Sequence, residues 1–317
     1  PSSYGPYNIE EVVIRGKGQI NGDGFRLGYN EGPNRYEAGG GIPVPFSPIV
    51  NPTMRGSLIR MHNAKNVYVA DITLAYGPGW QVHPIYSTQV TFNHLELISK
   101  GNGVTGCADN IGILNGDGID PDSCSHINIV DCYFYVNDDS VTLKSGRNKE
   151  GNELDKPDAY IRVTDCITQG SKAGFVIGSE DASGCHDILM QNLLVKDVAI
   201  CGLWLKTMRP RGGKNTDIQY KDIVIDGSGI PIRIASEYAS MNTSAANVNP
   251  AMEVPDIGHI LFENIKDTGK NDHGMQFVGL KESELHDFIF RGVSAKENGC
   301  LHQFVHCKNF CFDECEF

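Results

Sequence analysis

Short runs of alternating apolar and polar residues recur along the chain, and each run meets a polar residue or Gly at its fifth place. The runs begin at Val67, Val90, Ile127, Ile161, Ile188, Ile218, Ile260, Phe288 and Phe310. Their fifth places hold Asp71, His94, Asp131, Asp165, Asn192, Asp222, Asn264, Gly292 and Glu314. Alternation of period two predicts strands with one buried face. A polar residue or Gly at a constant place predicts a corner that stacks on its neighbour. The shortest intervals between runs are 22 and 23 residues, and longer ones fit the same coil with loops inserted.

Several units carry a further strand, in Ser140–Leu143, Gly174–Ile177, Gly202–Leu205 and Ile230–Ile234. Together these predict an all-β, right-handed parallel β-helix in which each coil pairs with the next. A β-sandwich would join its strands by hairpins and lack a register of equivalent bends. No amphipathic helix competes with this reading. Residues 22–56, rich in Gly and Pro, read as one long loop. Phe25, Arg26, Tyr29, Arg35 and Tyr36 suit it to lining a cleft. Residues 1–317 are read as a single domain.

Of the 317 residues, 40% are hydrophobic and 21% charged, which describes a globular protein with a large core. No apolar stretch approaches the roughly 20 residues that span a bilayer, so no membrane partner is expected. The net charge of −12 argues against nucleic acid, which calls for a basic face. It leaves room for an anionic substrate bound by a local basic patch. The ten Cys lack paired CxxC spacing, against a zinc site. Cys132 and Cys166, in matching places, are expected as stacked core thiols. Among Cys300, Cys307, Cys311 and Cys315 a bridge is more plausible.

Against this background the acids Asp117, Asp138 and Asp139 are concentrated within 23 residues, in Asn115-Gly116-Asp117-Gly118 and Asn137-Asp138-Asp139-Ser140. Consecutive residues on a strand point to opposite faces, so Asp138 and Asp139 reach one cleft only at a bend. Asp117 and Asp138 are 21 residues apart, close to one coil, which puts them on adjacent rungs about 4.8 Å apart. Crowded acids do not all ionise freely, so one keeps its proton to higher pH. Acetal hydrolysis needs such an acid together with a base that activates water. A solvated acidic turn or a calcium loop is the bland alternative, but neither metal nor cofactor is expected.

At this point the chain resembles the polygalacturonase family, glycoside hydrolase family 28. The resemblance lies in Asn115–Cys124, Asn137-Asp138-Asp139, Lys144-Ser145-Gly146-Arg147, Gly174–Glu180, Gly202–Thr207 and Arg209–Gly213, with Val13–Gly24 upstream. Trp80-Gln81-Val82-His83-Pro84 is similar to a cleft segment of bacterial exo-acting members. The family's first coils are expected to be missing ahead of Pro1. The resemblance implies hydrolysis with inversion, with Asp138 as general acid and Asp117 and Asp139 activating water. An inverting pair is expected roughly 6.5–9.5 Å apart. The substrate implied is a pectic or related uronate-containing polysaccharide, and from that class the location expected is secreted or periplasmic.

Two departures bear on the substrate. Ser171-Lys172-Ala173-Gly174 stands where the family has Gly-His-Gly, and Trp204 stands where its Arg-Ile-Lys motif has Arg, with Lys206 matching the Lys. Lys172 is a substitute cation that would lower the pKa of Asp138. Loss of the Arg removes a bidentate partner for a uronate, while Trp204 offers a face for a sugar ring. A mixed chain of the rhamnogalacturonan type therefore fits better than plain polygalacturonan. Asn115, Lys172, Trp204, Lys206, Arg209, Arg211 and His83 are the candidate substrate-binding residues. Lys144 and Arg147 are weaker candidates, each equally suited to bracing a loop. Glu180 and Asp181 are placed at the cleft rim or in solvated turns, and Tyr238 is a candidate wall. The alternatives are a glycan-binding β-helix that has lost turnover, and a polysaccharide lyase or epimerase.

Overall fold

The computed structural model describes residues 7–24, 56–101, 112–209, 211–238, 254–295 and 301–317. Most of the 22–56 loop, including its aromatic and Arg residues, lies outside these. The described chain winds as a right-handed parallel β-helix whose strands stack in three parallel faces. One face runs through the strands Ile9–Arg15, Ala64–Ala70, Thr88–Asn93, Ser125–Val130 and Asp158–Thr164 into Cys185–Lys206, Lys214–Ala235, Asp256–Asp267, Leu285–Arg291 and Cys307–Asp313. Each is in register with the next, so Ile188, Ile218, Ile260, Phe288 and Phe310 form one inward row.

The corners are where the fifth-place residues fall. Asp71, His94, Asp131, Asp165, Asn192, Asp222, Asn264, Gly292 and Glu314 all have φ between 51° and 60°. Asn and Asp tolerate this left-handed conformation better than most L-residues. Their side chains also bond along the stack: Asn192 donates to Asp165 at 2.6 Å and Asn264 to Asp222 at 3.0 Å. A second left-handed ladder precedes the runs, at Asn66, Gln89, His126, Tyr160, Asp187, Asp217, His259, Asp287 and Asn309. Its residue types are more varied, so the sequence did not mark it as a corner.

Inside, Val69, Phe92, Ile129, Val163, Met190, Tyr220, Phe262 and Phe290 are almost fully buried. Cys132 and Cys166 are buried free thiols, as expected. Cys307, Cys311 and Cys315 are also free, against the expected bridge, and Cys300 lies outside the described residues. Cys307 and Cys315 each hydrogen-bond carbonyls at a different corner, and Cys311 is exposed between them. The chain also forms a short helix, Asn148–Leu154, with no side-chain N-cap. Seven residues carry too little amphipathic pattern to announce it. Tertiary bonds pin it instead, for Asn152 Nδ2 donates to the carbonyls of Ala182 at 2.8 Å and Arg211 at 2.6 Å.

The third face carries the acids. Its strands include Val82–Ile85, Asp139–Leu143 and Ala173–Gly178, with Ile119 bridging from Val82 to Val141 and Asp122 from Ile85 to Lys144. Further along the axis, Val176, Trp204, Arg233 and Gln276 stand side by side on successive rungs.

Candidate active site

Two bends deliver the acids, and one serine ties them together. Asn115 takes φ 49° at an exposed turn, which suits it to shaping the loop before Asp117. Ser99 Oγ donates to the Gly116 carbonyl at 2.5 Å and accepts from the Asn137 amide at 2.7 Å. Asn137 Nδ2 donates to the Ile113 carbonyl at 3.0 Å. Gly118 follows for want of space: a Cβ there would lie 2.2 Å from the Ser140 carbonyl oxygen. The Gly lets the rung of Asp117 close onto the rung of Asp139, where the Gly118 amide donates to the Asp139 carbonyl at 2.9 Å.

Asp117, Asp138 and Asp139 each bring one carboxylate oxygen to within 4.8 Å of the other two. That is tighter than the 6.5–9.5 Å expected of an acid and base flanking a water. The spacing instead suits a single water shared by two carboxylates, since two hydrogen bonds of about 2.8 Å at a tetrahedral angle span about 4.6 Å. Asp117 and Asp139 are buried, whereas Asp138 is partly exposed. Burial and the Asp139 charge push the Asp138 pKa up to about 6, against the opposing pull of Lys172, Lys206 and Lys144. The lowering expected from Lys172, whose Nζ is 3.7 Å from Asp138 Oδ2, is therefore present but outweighed.

Asp139 is held differently. Lys206 Nζ donates to its Oδ2 at 2.6 Å, and both side chains are buried. Burial works against the Lys206 ammonium, but Asp139 outweighs it and raises the lysine pKa. Burial and neighbouring Asp120 and Asp138 raise Asp117 well above the usual carboxylate range. The same three acid oxygens could hold a cation, as could His259, His286 and Asp287 on another face. At the acids, two lysines already supply positive charge.

Several other expected substrate contacts are engaged elsewhere. Arg211 is completely buried, 3.7 Å from Glu180, so it cannot meet a polysaccharide and braces the wall of the site. Lys144, also buried, stands between Glu180 at 3.3 Å and Asp120 at 3.6 Å. Lys144 and Arg211 overcome burial to pull Glu180 down to about 2. Asp181 is not at a rim either. It is buried and accepts from Thr207 at 2.8 Å and Asn215 at 3.0 Å. Arg209 is exposed, with its charge paired to Glu282. His83 lies 3.3 Å from Asp122 and edge-on to Trp80 at 4.7 Å. Burial lowers its pKa.

Trp204 differs from expectation in a way that matters. It is 6% exposed, so its face is not open to a sugar. Lys206 Nζ lies over the ring at 4.6 Å, Arg233 at 5.6 Å, and Tyr238 meets it edge-on at 5.8 Å. Ser99, Asp120 and Arg233 belong to this site and were not singled out from the sequence. Only the register between rungs places them there.

Comparison with known proteins gives the family. Residues 4–315 match the family described as glycosyl hydrolases family 28. The chain belongs to this family. A probable polygalacturonase of Vitis vinifera is 30% identical over 223 residues, 69% of this chain and 40% of that protein. A hyperthermoactive exopolygalacturonase from Thermotoga maritima superposes with a TM-score of 0.67 at 27% identity, over 82% of this chain and 55% of its own. The endo-xylogalacturonan hydrolase of Aspergillus tubingensis shares the fold, with a TM-score of 0.62 at 16% identity over 99% of this chain and 81% of its own. The chain spans about half the length of the first two.

Proposed function

We propose that the chain carries the catalytic β-helix of a glycoside hydrolase cleaving a pectic, uronate-containing polysaccharide of the polygalacturonan or rhamnogalacturonan type. The observation that carries this reading is the convergence of three carboxylate oxygens within 4.8 Å, with Lys206 on one acid and Lys172 beside another. Two relatives are named as galacturonan-cleaving enzymes, which supports the substrate class. Asp138 donates its proton to the departing glycosidic oxygen, because it is the acid of the three that is partly exposed and still protonated near pH 6. Asp139 and Asp117 hold the water, and Asp139, already paired to Lys206, takes its proton. The partly exposed ammonium of Lys172 favours an anionic sugar nearby. Such a substrate fits a secreted or periplasmic location. No helix among the described residues is long and apolar enough to cross a membrane.

The test is release of reducing ends from polygalacturonan, rhamnogalacturonan and neutral glycans, with Asp138→Asn beside the parent. Release from a uronate-containing glycan, lost in the variant, is expected. No release from any glycan, with binding retained, would make the protein a glycan-binding β-helix, and ultraviolet-absorbing unsaturated products would make it a lyase. Retention through a covalent intermediate is the alternative stereochemical outcome. The anomer first formed, read by proton NMR, separates the two, and inversion is expected if Asp117 and Asp139 share one water.

A further inference from the structure

Trp204 and Arg233 stand side by side on adjacent rungs, facing the same way as the row that begins beside the catalytic acids. The register pairs them directly, and Arg233 Cζ lies 5.6 Å from the centroid of the indole. Tyr238 closes the edge of the cluster, and Lys206 lies over the same ring. Trp204 packs in a small apolar cluster with Ala173, Val176, Cys201 and Ile230, outside the main core. Its ring is thus a floor carrying two cations.

The two cations differ in what they face. Lys206 is committed to Asp139 at 2.6 Å. No carboxylate pairs with Arg233 among the described residues, and its Nε is a buried donor without a hydrogen-bond partner. The Trp204 Nε1–H, on a side chain more than nine-tenths buried, also lacks a partner. Unmet buried donors are uncommon in native proteins and costly. Here two lie in one cluster, beside a guanidinium that is partly exposed and has no carboxylate partner among the described residues.

We infer that Arg233, held over Trp204, is a specificity-determining residue that receives the carboxylate of a uronate one rung beyond Trp204. A planar guanidinium matches a carboxylate in a two-bonded fork, which an ammonium does not reproduce. Its place over the indole, 5.6 Å from the centroid, holds the guanidinium by cation–π attraction without consuming its donors. The rung spacing, about 4.8 Å, moves the cation along the helix axis relative to position 204. Trp204 acts as a positioning residue in place of a sugar-stacking one. This inference rests on the uronate reading proposed above and names the residue that reads the charge.

The test measures binding by calorimetry in the Asp138→Asn background, with a galacturonate trimer and its fully methyl-esterified form as probes. Adding Arg233→Gln is expected to weaken the charged trimer about tenfold or more and leave the ester within about twofold. Arg233→Lys is expected to recover part of the loss, because it keeps the charge without the fork. Trp204→Phe keeps a ring under Arg233 and serves as a folding control, with a smaller loss on the charged trimer. Equal losses on both probes would reduce Arg233 to packing, and no loss on either would remove it from the site. If the Asp138→Asn protein binds neither trimer, this inference fails, whereas the uronate reading fails only if the parent cleaves no uronate-containing glycan. Cleavage of a uronate glycan by the parent, with unchanged binding in Arg233→Gln, would overturn the Arg233 assignment alone.

Discussion

Lys206 Nζ sits 2.6 Å from Asp139 Oδ2, although the two residues are 67 positions apart and their strands are two rungs apart. The lysine reaches back along the outer face over Trp204 and neutralises an acid that burial would otherwise penalise. This contact distinguishes Asp139 from Asp138, whose nearest cation is Lys172 at 3.7 Å.

Removing the partner should expose that cost. Lys206→Met is expected to destabilise the fold by about 3 kcal/mol, since one member of a buried pair is left uncompensated. Activity should also fall at least tenfold. Chemical denaturation checks the first and initial rates the second, and a double variant with Asp139→Asn should recover much of the stability but none of the rate.

Asp138→Asn removes the transferable proton and leaves shape and packing almost unchanged. A loss of about 10²–10⁴ in rate is expected, with glycan affinity retained. Reducing-end assays and calorimetry on the same preparation separate the two effects.

The pH profile should follow the acid. Asp138 is raised to about 6 and, as the proposed acid, must carry its proton to act, so the rate is expected to fall as pH rises through about 6. Lys172 and its neighbours pull that value down, so Lys172→Met should move the alkaline limb to higher pH. An unmoved limb would show that Asp138 does not set it.

Stability should decline over a wider range. Burial raises Asp120 to about 8 and Asp181 to about 7, against about 3.9 for an exposed Asp. Between those limits the folded chain holds protons that the unfolded chain has released. The contribution of these groups is therefore complete below about pH 4 and is lost as pH rises through the folded values. Asp120→Asn should flatten the fall in melting temperature between pH 5 and 8.

Restoring the family's arginine should do harm. Trp204→Arg would place a guanidinium between Lys206 and Arg233, in a site with 6% exposure. A loss of about 2 kcal/mol or more is expected, seen as a lower melting temperature. A gain in stability would mean that the two cations do not share the indole.

Much of the coil was legible because the corner demands a residue type. Asp71, Asp131, Asp165, Asn192, Asp222 and Asn264 repeat at one place because few other L-residues occupy a left-handed φ cheaply. The parallel ladder at Gln89, Tyr160 and His259 was missed because those residue types are not corner signals. The acids were legible for a similar reason, since Asp117 and Asp138 are one coil apart and Gly118 allows the rungs to close. Arg211 and Asp181 were misjudged because charge suggests exposure, whereas both are buried, Arg211 beside Glu180 and Asp181 among Thr207 and Asn215.

The sequence by itself determined the period, the inward rows and the three acids, because alternation and corner chemistry are local and repeat with every coil. The tertiary structure alone decided which cation meets which acid. Long side chains such as Lys206 and Arg233 cross rungs whose spacing in sequence varies with every inserted loop. Their partners therefore follow from distances in space, which no local pattern encodes.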